Sequence, residues 1–186
     1  MIRPLVLIGV ILAASPASGQ ENLPESFHGD WQGKELTVAE GSTDLDVTAK
    51  DLSVRIEPDD GGFRMSWTAL SRKGSDGALA RDPLEARFTP GERPGVFVFD
   101  SEESSLLLGL FGHPSTSNPL EGELLLWARL DGKTLSVYGL TVNADGGFDL
   151  YQHVRTLTDD GMTARYTHRT EHEAIILEGL LMRSGG

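Results

Sequence analysis

Leu124-Leu125-Leu126-Trp127-Ala128-Arg129-Leu130-Asp131-Gly132-Lys133-Thr134-Leu135-Ser136-Val137-Tyr138 decides the fold: two apolar-rich segments meet across Asp131-Gly132. Asp-Gly between such segments is a strong hairpin signal, because both residues tolerate the positive φ that a tight antiparallel turn needs. The pair recurs at 60-61, 76-77, 145-146 and 160-161, and the three in the C-terminal half follow one another at spacings of 14 and 15 residues. That rhythm predicts a meander of strands at 122-130, 133-143, 147-157, 162-169 and 173-183.

The N-terminal half extends the pattern, with strands expected at 30-39, 44-57, 62-71, 84-89 and 95-100. Phe63, Met65, Trp67 and Ala69 alternate with Arg64, Ser66 and Thr68, the period of a strand with one buried face. Pro83, Pro90 and Pro94 are expected to bound short edges or loops. The rhythm breaks at 101-120, where Ser101-Glu102-Glu103-Ser104-Ser105 suits the cap of a short helix over 102-111, with a further strand as the alternative. The fold expected is all-β: a single antiparallel up-and-down barrel of about 8 to 10 strands.

Two strands are apolar on both faces. Leu124, Leu126, Ala128 and Leu130 share one face while Leu125 and Trp127 lie on the other, and Tyr138, Leu140 and Val142 oppose Leu135 and Val137. Cover from the 104-111 segment, or from a second copy in a weak homodimer, is expected there.

The first 19 residues have the form of a cleavable export signal: Arg3, an apolar run from Leu5 to Ala14, then Ala17-Ser18-Gly19 before Gln20. The run is too short to span a membrane. Cleavage near Gly19-Gln20 gives a protein of the periplasm or exterior, with residues 20-27 as a flexible arm and 28-184 as the barrel. That mature chain keeps 15 basic against 28 acidic residues, a net charge of -13. It lacks the basic footprint that nucleic acid requires. Cysteine is absent, so neither a disulfide nor a thiolate nucleophile is available, and packing alone must hold the domain together.

Gly29-Asp30-Trp31 opens the first strand and Arg183 closes the last, and with the strands between them they resemble the lipocalin-like (calycin) barrels. The resemblance implies that Trp31 packs across the closed end, with Arg183 stacked over it and Gly29 beside them. Standard lipocalins carry a Thr-Asp-Tyr signature, whereas Thr158-Asp159 here runs into Asp160-Gly161, so the resemblance is to an outlying bacterial branch. The fuller opening Gly29-Asp30-Trp31-Gln32-Gly33 is similar to that of nitrobindin-like barrels. That likeness raises His168 as an axial haem ligand if it shares an inner face with Ala164 and Tyr166; a histidine at a polar rim is the plainer reading, and no cofactor is expected.

No constellation of acid, base and nucleophile stands out. His168-Arg169-Thr170-Glu171-His172 spells His-x-x-Glu-His, but that chemistry needs a helix and a distant third ligand, and alternation on both sides makes it a hairpin connection. Gly112-His113-Pro114-Ser115 lacks the strand-to-helix elbow that a nucleophilic serine requires. No catalytic or metal site is expected. The leading expectation is a binding protein for a small apolar or amphiphilic molecule, its cavity lined by Val54, Phe63, Met65, Trp67 and Tyr166. The alternative is a periplasmic protease-inhibitor-like or envelope interaction module that works by its surface and N-terminal arm.

Overall fold

A computed structural model of the chain describes residues 22–40, 47–73, 78–100 and 118–185. Among these, ten antiparallel strands close into an up-and-down barrel: β1 (Gly29–Glu40), β2 (Val54–Asp59), β3 (Gly62–Lys73), β4 (Ala78–Pro90), β5 (Val96–Asp100), β6 (Leu125–Asp131), β7 (Thr134–Val142), β8 (Phe148–Leu157), β9 (Met162–Arg169) and β10 (Ala174–Arg183). Each strand pairs with its neighbours in sequence, and β1 pairs with β10 to complete the ring. The described helical elements are short 3-10 turns at Glu25–Phe27, Ala49–Leu52 and Pro119–Glu121. No described helix is long and apolar enough to cross a membrane.

The turns follow the Asp-Gly rhythm. Asp60 and Gly61 both adopt positive φ between the paired Asp59 and Gly62, which is how a two-residue hairpin matches the twist of its strands. Asp131-Gly132, Asp145-Gly146 and Asp160-Gly161 likewise fall at strand connections or strand ends, while 76-77 lies outside the described residues.

Two expectations need correction. The segment 44-57 is not one strand: β2 starts only at Val54, and a 3-10 turn over Ala49–Leu52 precedes it. The Asp51 carboxylate accepts from the Thr48 backbone N–H (2.6 Å), the Thr48 hydroxyl (3.1 Å) and Arg81 Nε (2.8 Å), a local arrangement that competes with the ladder. Gly33 leaves room for it, since a Cβ there would lie 1.7 Å from the Ala49 carbonyl oxygen. Pro83, expected to bound a strand, sits inside β4 opposite Thr68. Within the described residues β5 pairs with β4 only at Arg87–Pro90, so Pro83 lies where that flank carries no ladder to interrupt.

Buried phenylalanines gather toward the end where β1 begins. Phe27, Phe63, Phe88 and Phe97 are fully buried there, with Phe63 stacked on Phe88 (4.9 Å between ring centroids) and edge-on to Phe97 (5.2 Å). On the outer face Trp127 and Tyr138, directly opposite across β6 and β7, stack at 5.0 Å. Trp127, Tyr138 and Leu140 are each partly buried. The expected helix or strand at 102-111, and with it the proposed cover, lies outside the described residues.

Candidate functional site

Three of the residues singled out in the sequence meet at the closed end. Trp31 lies opposite Arg183 in the β1–β10 ladder, and the guanidinium carbon sits 4.6 Å from the centroid of the indole. Arg183 donates from Nη1 to the His28 carbonyl (2.6 Å) and from Nη2 to the Ser26 carbonyl (2.8 Å), while Trp31 Nε1 donates to the Phe27 carbonyl (2.9 Å). Two side chains thereby satisfy three carbonyls of the chain entering the barrel. Gly29, at φ 123°, passes directly beneath; a Cβ there would lie 3.1 Å from Arg183 Nη1. Leu23 and Phe27, from the stretch expected to form an arm, are buried.

The five expected lining residues, Val54, Phe63, Met65, Trp67 and Tyr166, are all buried on inward-facing positions, yet they divide into two groups. Phe63 and Met65 belong to the phenylalanine end of the core. Val54 and Trp67, paired across β2 and β3, and Tyr166 lie farther along the same core, in a layer where polar side chains enter. β3 and β8 stand diametrically opposed, with four strands between them on either side, and Trp67 reaches across to meet His153 edge-on at 5.8 Å. His153 in turn lies 4.8 Å from the Tyr166 ring. With Arg155, Ala164 and Leu52 these residues line an internal void of about 10 Å³, roughly the least space that holds one water.

The electrostatics of the layer follow from burial. The His153 pKa is driven well below its ordinary value by burial and, secondarily, by the charge on Arg155. Burial also lowers Arg155 to about 10. Tyr166 is raised by burial and then by Tyr151 and Asp149, and Tyr151 is pushed up to about 12 by burial and Asp149. At neutral pH the layer therefore contains neutral imidazole, neutral phenols and one guanidinium.

Nearer the other end, His168 Nε2 lies 2.8 Å from Asp149 Oδ1 and its ring stacks on Tyr151 at 4.5 Å. A carboxylate only accepts, so Nε2 carries the proton. His168 does share the face of Ala164 and Tyr166, as the strand pattern implied, but that nitrogen is engaged. His172 lies beyond the end of β9 in a turn where Thr170 Oγ1 accepts from the backbone N–H groups of His172 and Glu173, so no helix presents the two histidines together. Among the described residues no three His, Asp or Glu side chains converge to hold a metal ion. The Gly112-Ser115 segment lies outside those residues.

Arg155, Asp149 and Tyr151 escaped the sequence reading. On β8, Tyr151, His153 and Arg155 alternate with Gln152, Val154 and Thr156, so polar residues occupy both faces and hydropathy alone does not identify the inner one. The signal was in the register: pairing places Arg155 opposite Leu135 and His153 opposite Val137, both core residues. No protein-family model, curated protein or solved structure matches the chain.

Two outcomes follow from this geometry. Arg183→Ala removes two charge-assisted hydrogen bonds and the contact over Trp31, and should lower the free energy of unfolding by about 1 to 2 kcal/mol in urea titrations, with Arg183→Lys recovering only part. An alanine variant as stable as the parent would contradict the clasp. Because the folded-state pKa of His153 is depressed, below about pH 6.5 the unfolded chain binds a proton that the folded chain refuses, so stability falls as pH drops through that window. His28, also lowered chiefly by burial, acts in the same direction. Thermal unfolding followed from neutral pH downward should show this decline, and His153→Phe should flatten it without abolishing it; an unchanged slope in the variant would rule out His153 as its source.

Proposed function

We propose that this chain is an exported, lipocalin-like barrel that holds a small apolar or amphiphilic molecule within its interior. The export signal at residues 1-19 and the Gly29, Trp31 and Arg183 clasp support the class and its compartment, the periplasm or exterior. The observation that carries the binding reading is the change in character along the inner wall. One end is filled by phenylalanines, and beyond it Trp67, His153, Tyr166, Tyr151 and His168 form an aromatic and polar lining. A wall that needed only to pack would continue with aliphatic side chains. A few placed polar groups among aromatic ones are what small-molecule sites use to orient a guest. The reading as a surface module with an N-terminal arm is weaker, because Leu23 and Phe27 are buried and the Phe27 carbonyl accepts from Trp31 Nε1.

Native mass spectrometry of the protein purified from its own compartment should reveal one small-molecule mass per chain, released on denaturation. Repeated recovery of the bare polypeptide mass, together with no uptake of apolar fluorescent probes, would contradict the container.

A further inference from the structure

Arg155 is the anomaly of the interior. It is 3% exposed, and among the described residues its Nε and Nη1 have no hydrogen-bond partner. The less deeply placed arginines are paired differently: Arg64 meets Asp59 and Glu85, Arg81 meets Asp51, and Arg87 meets Asp59 and Asp100. Asp51, which lines the same void, is already engaged with Thr48 and Arg81, and Asp149, on the same strand, with His168. A guanidinium does not shed its proton in a protein, so burying one without an acceptor is among the costliest arrangements a fold can contain.

A second donor shares its position. Trp67 Nε1 is buried without a partner and lines the same void as Arg155, together with His153, Tyr166 and Ala164. Guanidinium and indole nitrogens only donate. The void thus presents two unsatisfied donors, beside an Asp51 carboxylate that Thr48 and Arg81 already occupy, and what completes those donors is an acceptor, preferably an anion. A carboxylate matches the planar fork of a guanidinium with two parallel hydrogen bonds. His153, held neutral, adds no competing charge.

We propose that Arg155 receives the carboxylate head of an amphiphilic guest inside the barrel, with Trp67 Nε1 as a supporting donor. The assignment rests on the container reading and specifies its ligand class as a carboxylate amphiphile. The void holds about 10 Å³, so a head group seats only as the Trp67 and His153 rings part. The tail then lies along the aromatic lining toward Tyr151.

The test is calorimetric titration with straight-chain carboxylates from hexanoate to tetradecanoate and with the corresponding alcohols, on the parent protein and on Arg155→Met and Arg155→Lys. The expected result is at least tenfold tighter binding of the best carboxylate over its alcohol, lost in Arg155→Met and partly restored in Arg155→Lys. Equal binding of acid and alcohol leaves the container standing and overturns the role of Arg155. Binding of neither overturns both. Chloride or acetate that raises the melting temperature as much as the long-chain acid identifies a free anion and overturns the head-group assignment. The unliganded Arg155→Met protein should melt no lower than the parent, since it exchanges an unpaired buried charge for an apolar side chain that adapts to its space. A marked loss of melting temperature would mean that the guanidinium has a structural partner, and would equally overturn the proposal.

Discussion

The structure depends on the pairing of its first strand with its last. An up-and-down barrel has no crossover to lock it, and this chain has no cysteine, so closure rests on the β1–β10 ladder from Trp31 and Arg183 at one end to Glu40 and Ile176 at the other. The contrast with the other side of β1 is large: β2 meets it over only three residue pairs, Gly29 to Trp31 against Ile56 to Val54. Arg183 reinforces the ladder where it begins. Its guanidinium binds the Ser26 and His28 carbonyls while covering Trp31, so one side chain fastens the last strand, the first strand and the segment preceding it.

That fastening divides the interior. With the carbonyls of Ser26, Phe27 and His28 held by Arg183 and Trp31, Phe27 joins Phe63, Phe88 and Phe97 in the core. Large apolar area removed from water there supplies the stability that a disulfide-free domain needs. Beyond it the barrel carries polar side chains inside: Trp67 meets His153 from the opposite wall, Arg155 lies buried beside them, and His168 rests on Tyr151 and Asp149. Each of these residues weakens the core as a core. Their concentration in one layer, beyond a well-packed end, is the observation on which the proposed container reading rests.

Much of the architecture was legible because its signals are local. Asp60-Gly61 and Asp131-Gly132 mark turns through backbone preference alone, and Phe63, Met65 and Trp67 announce a buried face by alternation. Trp31 and Arg183 were found through the positions they hold at the two ends of the domain. The turn at Ala49–Leu52 was missed because only part of its cause is local: Thr48 and Asp51 cap it, but Arg81 from β4 on Asp51 and the bare backbone of Gly33 on β1 complete it. Pro83 misled for a similar reason, since a proline in a strand is costly only where a neighbour requires its missing donor. Arg155 was hidden most deeply. An arginine on a strand reads as solvent-facing until the register shows that its neighbours across the ladder are Leu135 and Ala164.

The central claim is that the inner layer around Trp67, His153, Tyr166 and Arg155 belongs to a guest. A crystal structure of the protein isolated from its own compartment tests it most directly. The account predicts electron density for an organic acid whose carboxylate oxygens lie within hydrogen-bonding distance of the Arg155 guanidinium. A side chain or backbone carbonyl of the protein itself paired with Arg155, in a layer closed to any guest, would contradict it.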